Sequence, residues 1–114
     1  MNSVESFVER IPWTKSEKEV ARKAFDKAFE RECTSVKADV EKMVMNLADP
    51  SDIWRVHDYL SERRRRVSAV YKYSYSDLLN VFAILFRDGW LDESDFVGLQ
   101  QDKVDRIKRW AATK

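Results

Sequence analysis

Residues 14–47 read TKSEKEVARKAFDKAFERECTSVKADVEKMVMNL, without a glycine or a proline. Thr14 followed three residues later by Glu17 is a capping-box pattern, in which each side chain satisfies the other's exposed backbone amide. After it, Val20, Ala24/Phe25, Ala28/Phe29, Cys33, Val36, Val40, Met43/Val44 and Leu47 recur every three or four residues, the period of one helical face. The stretch predicts a single helix of roughly 33 residues, about 50 Å long at 1.5 Å per residue. A compact chain of this size has a radius of gyration near 13 Å, so the helix overhangs its own fold. An apolar stripe that long asks for cover, most simply from a second copy related by a two-fold axis. The alternative is a break near Thr34-Ser35 that folds the stretch back as a hairpin. In the dimeric reading, Phe29, Cys33, Val36 and Val40 form the seam.

Outward from this helix the punctuation is clear. Asp49-Pro50-Ser51-Asp52 starts a second helix, with Asp at the cap and Pro at the first position. That helix is expected to run to about Lys72. Tyr71–Ser76 makes a polar, aromatic joint, with Ser74 or Ser76 capping the next helix. Asp77–Arg87, DLLNVFAILFR, is apolar almost all round and reads as a buried central helix, stopped by Gly89. Trp90 and Leu91 are placed in the core, a short helix comes next through Phe96, Val97 and Leu99, and a last one, about Gln101–Ala112, buries Val104, Ile107 and Trp110. Before Pro12, residues 3–11 could form a short amphipathic helix with Val4, Phe7, Val8 and Ile11 on one face. The expectation is one all-α domain over residues 1–114: long dimerising helices over about 14–72, a compact helical head over about 74–112, and an elongated homodimer as the assembly.

Composition narrows the function. Charged residues make 36% of the 114, yet they nearly cancel at +1, so the basic footprint of a nucleic-acid binder is missing. A single cysteine rules out an internal disulfide and a thiolate-rich zinc site. The N-terminus lacks the apolar run of a signal peptide, and no stretch is long enough to span a membrane. A cytoplasmic protein without metal or cofactor is the expectation.

The chemistry-bearing stretch is Ile53–Arg66, IWRVHDYLSERRRR, which holds the only histidine and a run of four arginines. At 100° per residue, Ile53, Val56, Leu60, Val67 and Tyr71 form an apolar stripe. Trp54, Asp58, Ser61 and Arg65 gather away from it, with His57 and Arg64 at the border. Folding does not ask for a tryptophan on a wet face beside an acid and a guanidinium, and Trp and Arg are typical interface hot spots. His57-Asp58 resembles a catalytic pair, but helical neighbours point about 100° apart, so Asp58 is not expected to orient the imidazole. Four successive arginines spread around the whole helix and cannot track a phosphate backbone. They read as a salt-bridged surface or as part of a docking surface for protein.

These residues resemble a known family. Trp54-Arg-Val-His57-Asp58-Tyr-Leu60-Ser61 followed by Arg64 is similar to the central motif of the cyanobacterial fluorescence recovery protein family. The likeness continues through Val81-Phe82-Ala83, the acidic turn after Gly89, Leu99-Gln-Gln-Asp102-Lys103 and Ile107-Lys108. Upstream it includes Trp13-Thr14 and Phe25-Asp-Lys-Ala28-Phe29-Glu-Arg31-Glu32, so that it covers roughly residues 13–110. Two features depart from the pattern: the first eleven residues look like an addition, and Cys33 and Lys37 stand where the family tends to place aliphatic residues. The resemblance implies a non-enzymatic, all-helical homodimer that binds the photoactivated red form of the orange carotenoid protein. It would hasten the return to the orange form and so end quenching at the phycobilisome. It also implies a client surface at Trp54, His57, Asp58 and Arg64, which with Ser61 and Arg65 makes the candidate partner-binding set. The alternative is a dimeric helical adaptor for another protein in a non-photosynthetic bacterium.

Overall fold

The computed structural model describes residues 11–113, so the expected N-terminal helix, with Val4, Phe7 and Val8, lies outside the described residues. Four helices occur in order along them: α1 (Lys15–Met45), α2 (Ile53–Val70), α3 (Leu78–Arg87) and α4 (Gln101–Thr113). Short 3₁₀ turns at Pro50–Asp52 and Glu93–Phe96 introduce α2 and precede α4. No strand is present among the described residues, only an isolated bridge between Val97 and Leu99.

α1 is one unbroken helix of 31 residues, about 46 Å long, so the break at Thr34-Ser35 does not occur. Its capping box forms as read: the Glu17 amide donates to Thr14 Oγ1 at 3.0 Å, and the Thr14 amide to Glu17 Oε1 at 3.1 Å. With a radius of gyration of 17.6 Å and extents of 58 × 34 × 25 Å, the chain is far from spherical.

The core sits at one end of α1. Ala21, Ala24 and Ala28 lie buried against Leu78, Phe82 and Leu85 of α3, Leu91, Phe96, and Val104 and Ile107 of α4. Alanine on this face leaves room for the large side chains of the shorter helices, such as Phe82 and Ile107, to reach α1. Gly89, at φ 87°, ends α3 in the left-handed conformation. The Trp90 amide reaches Leu85 O at 2.9 Å and the Gly89 amide reaches Phe86 O at 3.2 Å, the paired bonds of a Schellman motif. Gly98, at φ 108°, is required sterically, because a Cβ there would stand 2.7 Å from Val20 Cγ2.

Two polar ties clamp this end to α1. Glu17, 2% exposed, accepts from Lys103 Nζ at 3.1 Å and from the Gln100 amide at 2.9 Å. Arg31 donates to both oxygens of Asp95, at 2.9 and 3.2 Å, and to Trp90 O at 2.9 Å. Burial pushes both carboxyls up, but their hydrogen bonds and cationic partners win. Glu17 is held below its ordinary value by the Gln100 and Thr14 amides and Lys103, and Asp95 by Arg31 and the Asp92 amide.

Several local expectations need correction. α2 ends at Val70, capped by Tyr71, rather than at Lys72. α3 begins behind Asp77 without a side-chain cap; Ser74 and Ser76 instead bond each other through their hydroxyls at 2.9 Å. The helix expected through Leu99 is only the turn Glu93–Phe96, so Val97, 77% exposed, and Leu99 lie beyond it. Val97 is already extended, at φ −62° and ψ 122°, which ends the turn there. Trp90 and Trp110 are half-buried at the core margin.

Candidate functional site

The second helix is where the structure departs most from its hydrophobic pattern. Of the expected stripe, only Val56 is buried; Ile53 is 42% and Leu60 41% exposed. The side that meets α1 carries Val56, Tyr59, Arg63, Val67, Val70 and Tyr71, all buried or half-buried. The bonds across it are polar. Tyr59 donates its hydroxyl to Asp39. Arg63 Nη2 donates to Glu32 Oε2 at 2.6 Å, and the Tyr71 hydroxyl donates to Glu32 Oε1 at 2.9 Å. Burial, and then the neighbouring carboxylate, push the Tyr59 and Tyr71 phenols above their ordinary values, so both remain donors at neutral pH.

This orientation sorts the candidate residues onto two surfaces. Trp54, 66% exposed, stands with its ring 6.4 Å from the His57 imidazole, edge to face. His57 Nδ1 lies 3.4 Å from Asp58 Oδ1, so these neighbours do reach each other, contrary to the expectation from the helical wheel. The contact is long, and the side chains are 68% and 82% exposed. No third group among the described residues orients the ring, so the pair has the form of a wet polar surface. Ser61 and Arg65 are exposed as well, Arg65 pairing with Glu62 within its own helix.

Arg64 lies elsewhere. It lines an open groove of about 950 Å³ between α1 and α2, together with Leu60, Val67 and Tyr71 of α2. The opposite wall carries Phe29, Cys33, Val36 and Val40, all four residues expected in the dimer seam. Phe29 is 44% exposed, Cys33 is exposed, and Val36 and Val40 are half-covered. Of the arginine run, Arg63 pairs with Glu32, Arg65 with Glu62 and Arg66 with Asp88. The salt-bridged reading therefore describes three of the four, while Arg64 has no carboxylate partner among the described residues.

Sequence reasoning missed Glu32, which is 3% exposed. A signal was present: Glu17 and Glu32 lie in helical register with Ala21, Ala24 and Ala28, so a buried face ends in an acid on both sides. Among the described residues, no three or more His, Cys, Asp or Glu side chains gather to hold a metal ion, and no helix is long and apolar enough to cross a membrane.

Comparison with known proteins agrees with this architecture. The family model of the photoprotection regulator fluorescence recovery protein matches residues 13–111. The chain is 31% identical over 100 residues to the fluorescence recovery protein of Synechocystis sp. PCC 6803, covering 88% of this chain and 92% of that one. The solved structure of the Fremyella diplosiphon fluorescence recovery protein superposes with a TM-score of 0.83 at 40% identity, over 89% of this chain and 99% of that one. The Synechocystis structure gives the same TM-score and coverage at 31% identity. A match across both the core end and the long two-helix end, in sequence and in three dimensions, places this chain in the fluorescence recovery protein family of photoprotection regulators.

Proposed function

We propose that the chain is a non-enzymatic homodimer that binds the red, photoactivated form of the orange carotenoid protein and speeds its return to the orange form, ending phycobilisome quenching. Residues of about 14–72 serve as the dimerising arm and those of about 74–112 as the head. The second copy occupies the groove between α1 and α2, against Phe29, Cys33, Val36 and Val40. The client meets the outward face of α2, at Trp54, His57, Asp58, Ser61 and Arg65, with Arg64 reaching it from the groove edge.

One observation carries the reading: Trp54 is 66% exposed, yet it lies within the stretch whose order of residues resembles the family's central motif. A large indole beside an imidazole and a carboxylate suits a hot spot that buries on binding. Such a site needs no acid, base or nucleophile. A thermal relaxation accelerates when its transition state binds more tightly than its starting form, and differential affinity for two conformers is all that a population shift requires.

The direct experiment is to photoconvert a purified orange carotenoid protein, add this chain in the dark and monitor the red-to-orange absorbance decay. Acceleration that saturates with added protein supports the proposal. An unchanged decay with clients from several sources overturns the recovery role and leaves the adaptor alternative.

A further inference from the structure

Hydrophobicity alone would seat α2 differently. At 100° per residue, the centre of the stripe Ile53, Val56, Leu60, Val67 and Tyr71 lies roughly 40° around the helix from the centre of the side that meets α1. The observed orientation leaves Ile53 and Leu60 more than 40% exposed and draws Arg63, its side chain 25% exposed, toward Glu32. The polar ties across the helix pair outweigh the apolar pattern. Glu32 accepts from Arg63 at 2.6 Å and from Tyr71 at 2.9 Å. These donors stand eight residues apart, on α2 and at its C-terminal cap, so together they fix rotation as well as position.

We propose that Glu32 is a positioning residue: with Arg63 and Tyr71 it sets the rotation of α2 on α1, keeping Leu60 and Arg64 at the groove and Trp54 outward. A buried ion pair of this kind contributes little net stability, because desolvation offsets most of its attraction, whereas an apolar set of similar volume is often neutral or stabilising. Its value lies in excluding the competing orientation. Without it, α2 rolls by roughly 40°, carrying Leu60 toward α1 and Trp54 toward the groove edge. The seam and the outward surface then change together. The meanings given to the seam and the outward face rest on the proposed dimer and client; the rotation itself does not.

The test replaces the triad with apolar residues of like size, Glu32→Leu, Arg63→Met and Tyr71→Phe together. Helicity and melting temperature are expected to match or exceed those of the parent. The Trp54 indole N–H signal in a nitrogen–proton NMR spectrum, assigned by its loss in Trp54→Phe, is expected to shift or split. Dimer affinity by sedimentation is expected to fall at least tenfold as Leu60 leaves the seam. Tyr71→Phe alone keeps the Arg63–Glu32 pair and should leave the indole signal in place. A triple variant with an undisturbed Trp54 signal and parental dimer affinity overturns the proposal, and so does one that loses helicity, since the triad then supports folding itself. Neither measurement uses the carotenoid protein, so a failed recovery assay and a failed positioning role are separate results.

Discussion

The two halves of α1 carry the same kind of periodicity and meet opposite fates. Toward the N-terminus, Ala21, Ala24 and Ala28 are at most 2% exposed beneath α3 and α4. On the groove wall Phe29 is 44% exposed, and at the C-terminal end Val44 and Met45 are 46% and 85% exposed. The alanines of α1 are buried within the chain while Phe29, Val44 and Met45 are left open, the reverse of what folding in isolation favours. A face that keeps its larger apolar groups uncovered is suited to association, because burying them later contributes free energy to binding rather than to folding. The contrast extends to the connections. The core end is clamped by Glu17–Lys103 and Arg31–Asp95 around an apolar centre, whereas α2 is joined to α1 mainly through Tyr59, Arg63 and Tyr71.

The hardest test of this contrast is a matched pair of truncations. Phe82 is fully buried, so Phe82→Ala is expected to cost about 3–5 kcal/mol of folding stability, read from denaturant unfolding. Phe29→Ala removes the same atoms from the groove wall and should cost the dissociated protomer less than half as much. Equal costs would erase the distinction between the two ends.

A charge placed in the groove should act on assembly instead. Val36→Glu or Val40→Glu is expected to weaken the dimer by about 3 kcal/mol, roughly a hundredfold, by burying an uncompensated carboxylate. Light scattering should then report 13.5 kDa where the parent gives twice that, with helical circular dichroism retained. A parent that scatters as a monomer at micromolar concentration would remove the second copy from the groove.

Smaller again is the effect expected at the outward face. Trp54→Ala, Asp58→Ala and Arg64→Ala should each weaken client binding, Trp54→Ala by about 2 kcal/mol. Folding should change by no more than about 0.5 kcal/mol at Trp54 and Asp58, with Arg64 costing more because it lines the groove. If Trp54→Ala melts the protein and spares binding, the surface assignment falls.

The mildest probe is acid. Glu17 and Asp95 have lowered folded-state values, so they bind protons more readily when unfolded. Their stabilising contribution is complete above the ordinary carboxyl values of 4.5 and 3.8 and is lost as pH falls through the lower folded values. Melting temperature should therefore decline below about pH 4.5, and Glu17→Gln should flatten that decline. Protection of α3 and α4 amides from hydrogen exchange should weaken before that of the C-terminal half of α1. A uniform loss along the chain would show that the clamp is not specific to the covered end.

What the sequence determined by itself was local. Thr14 with Glu17, Asp49-Pro50 and Gly89 mark helix ends because a cap, a proline and a left-handed glycine satisfy or terminate the backbone within a few residues. The unbroken span of α1, the buried face of α3 and an exposed Trp54 were legible for the same reason: each depends on spacing along one helix. The order of residues from Trp54 to Arg64 carried the family resemblance before any geometry was known. Tertiary structure alone decided which apolar positions find cover. A helical wheel weighs side chains by hydrophobicity and is blind to a carboxylate that arrives from another helix. Glu32 meets Arg63 and Tyr71 across 31 and 39 residues, and Glu17 meets Lys103 across 86. In the positioning role proposed for Glu32, its ties to Arg63 and Tyr71 hold α2 away from the rotation its own pattern prefers, with Leu60 at the groove and Arg63 half-buried.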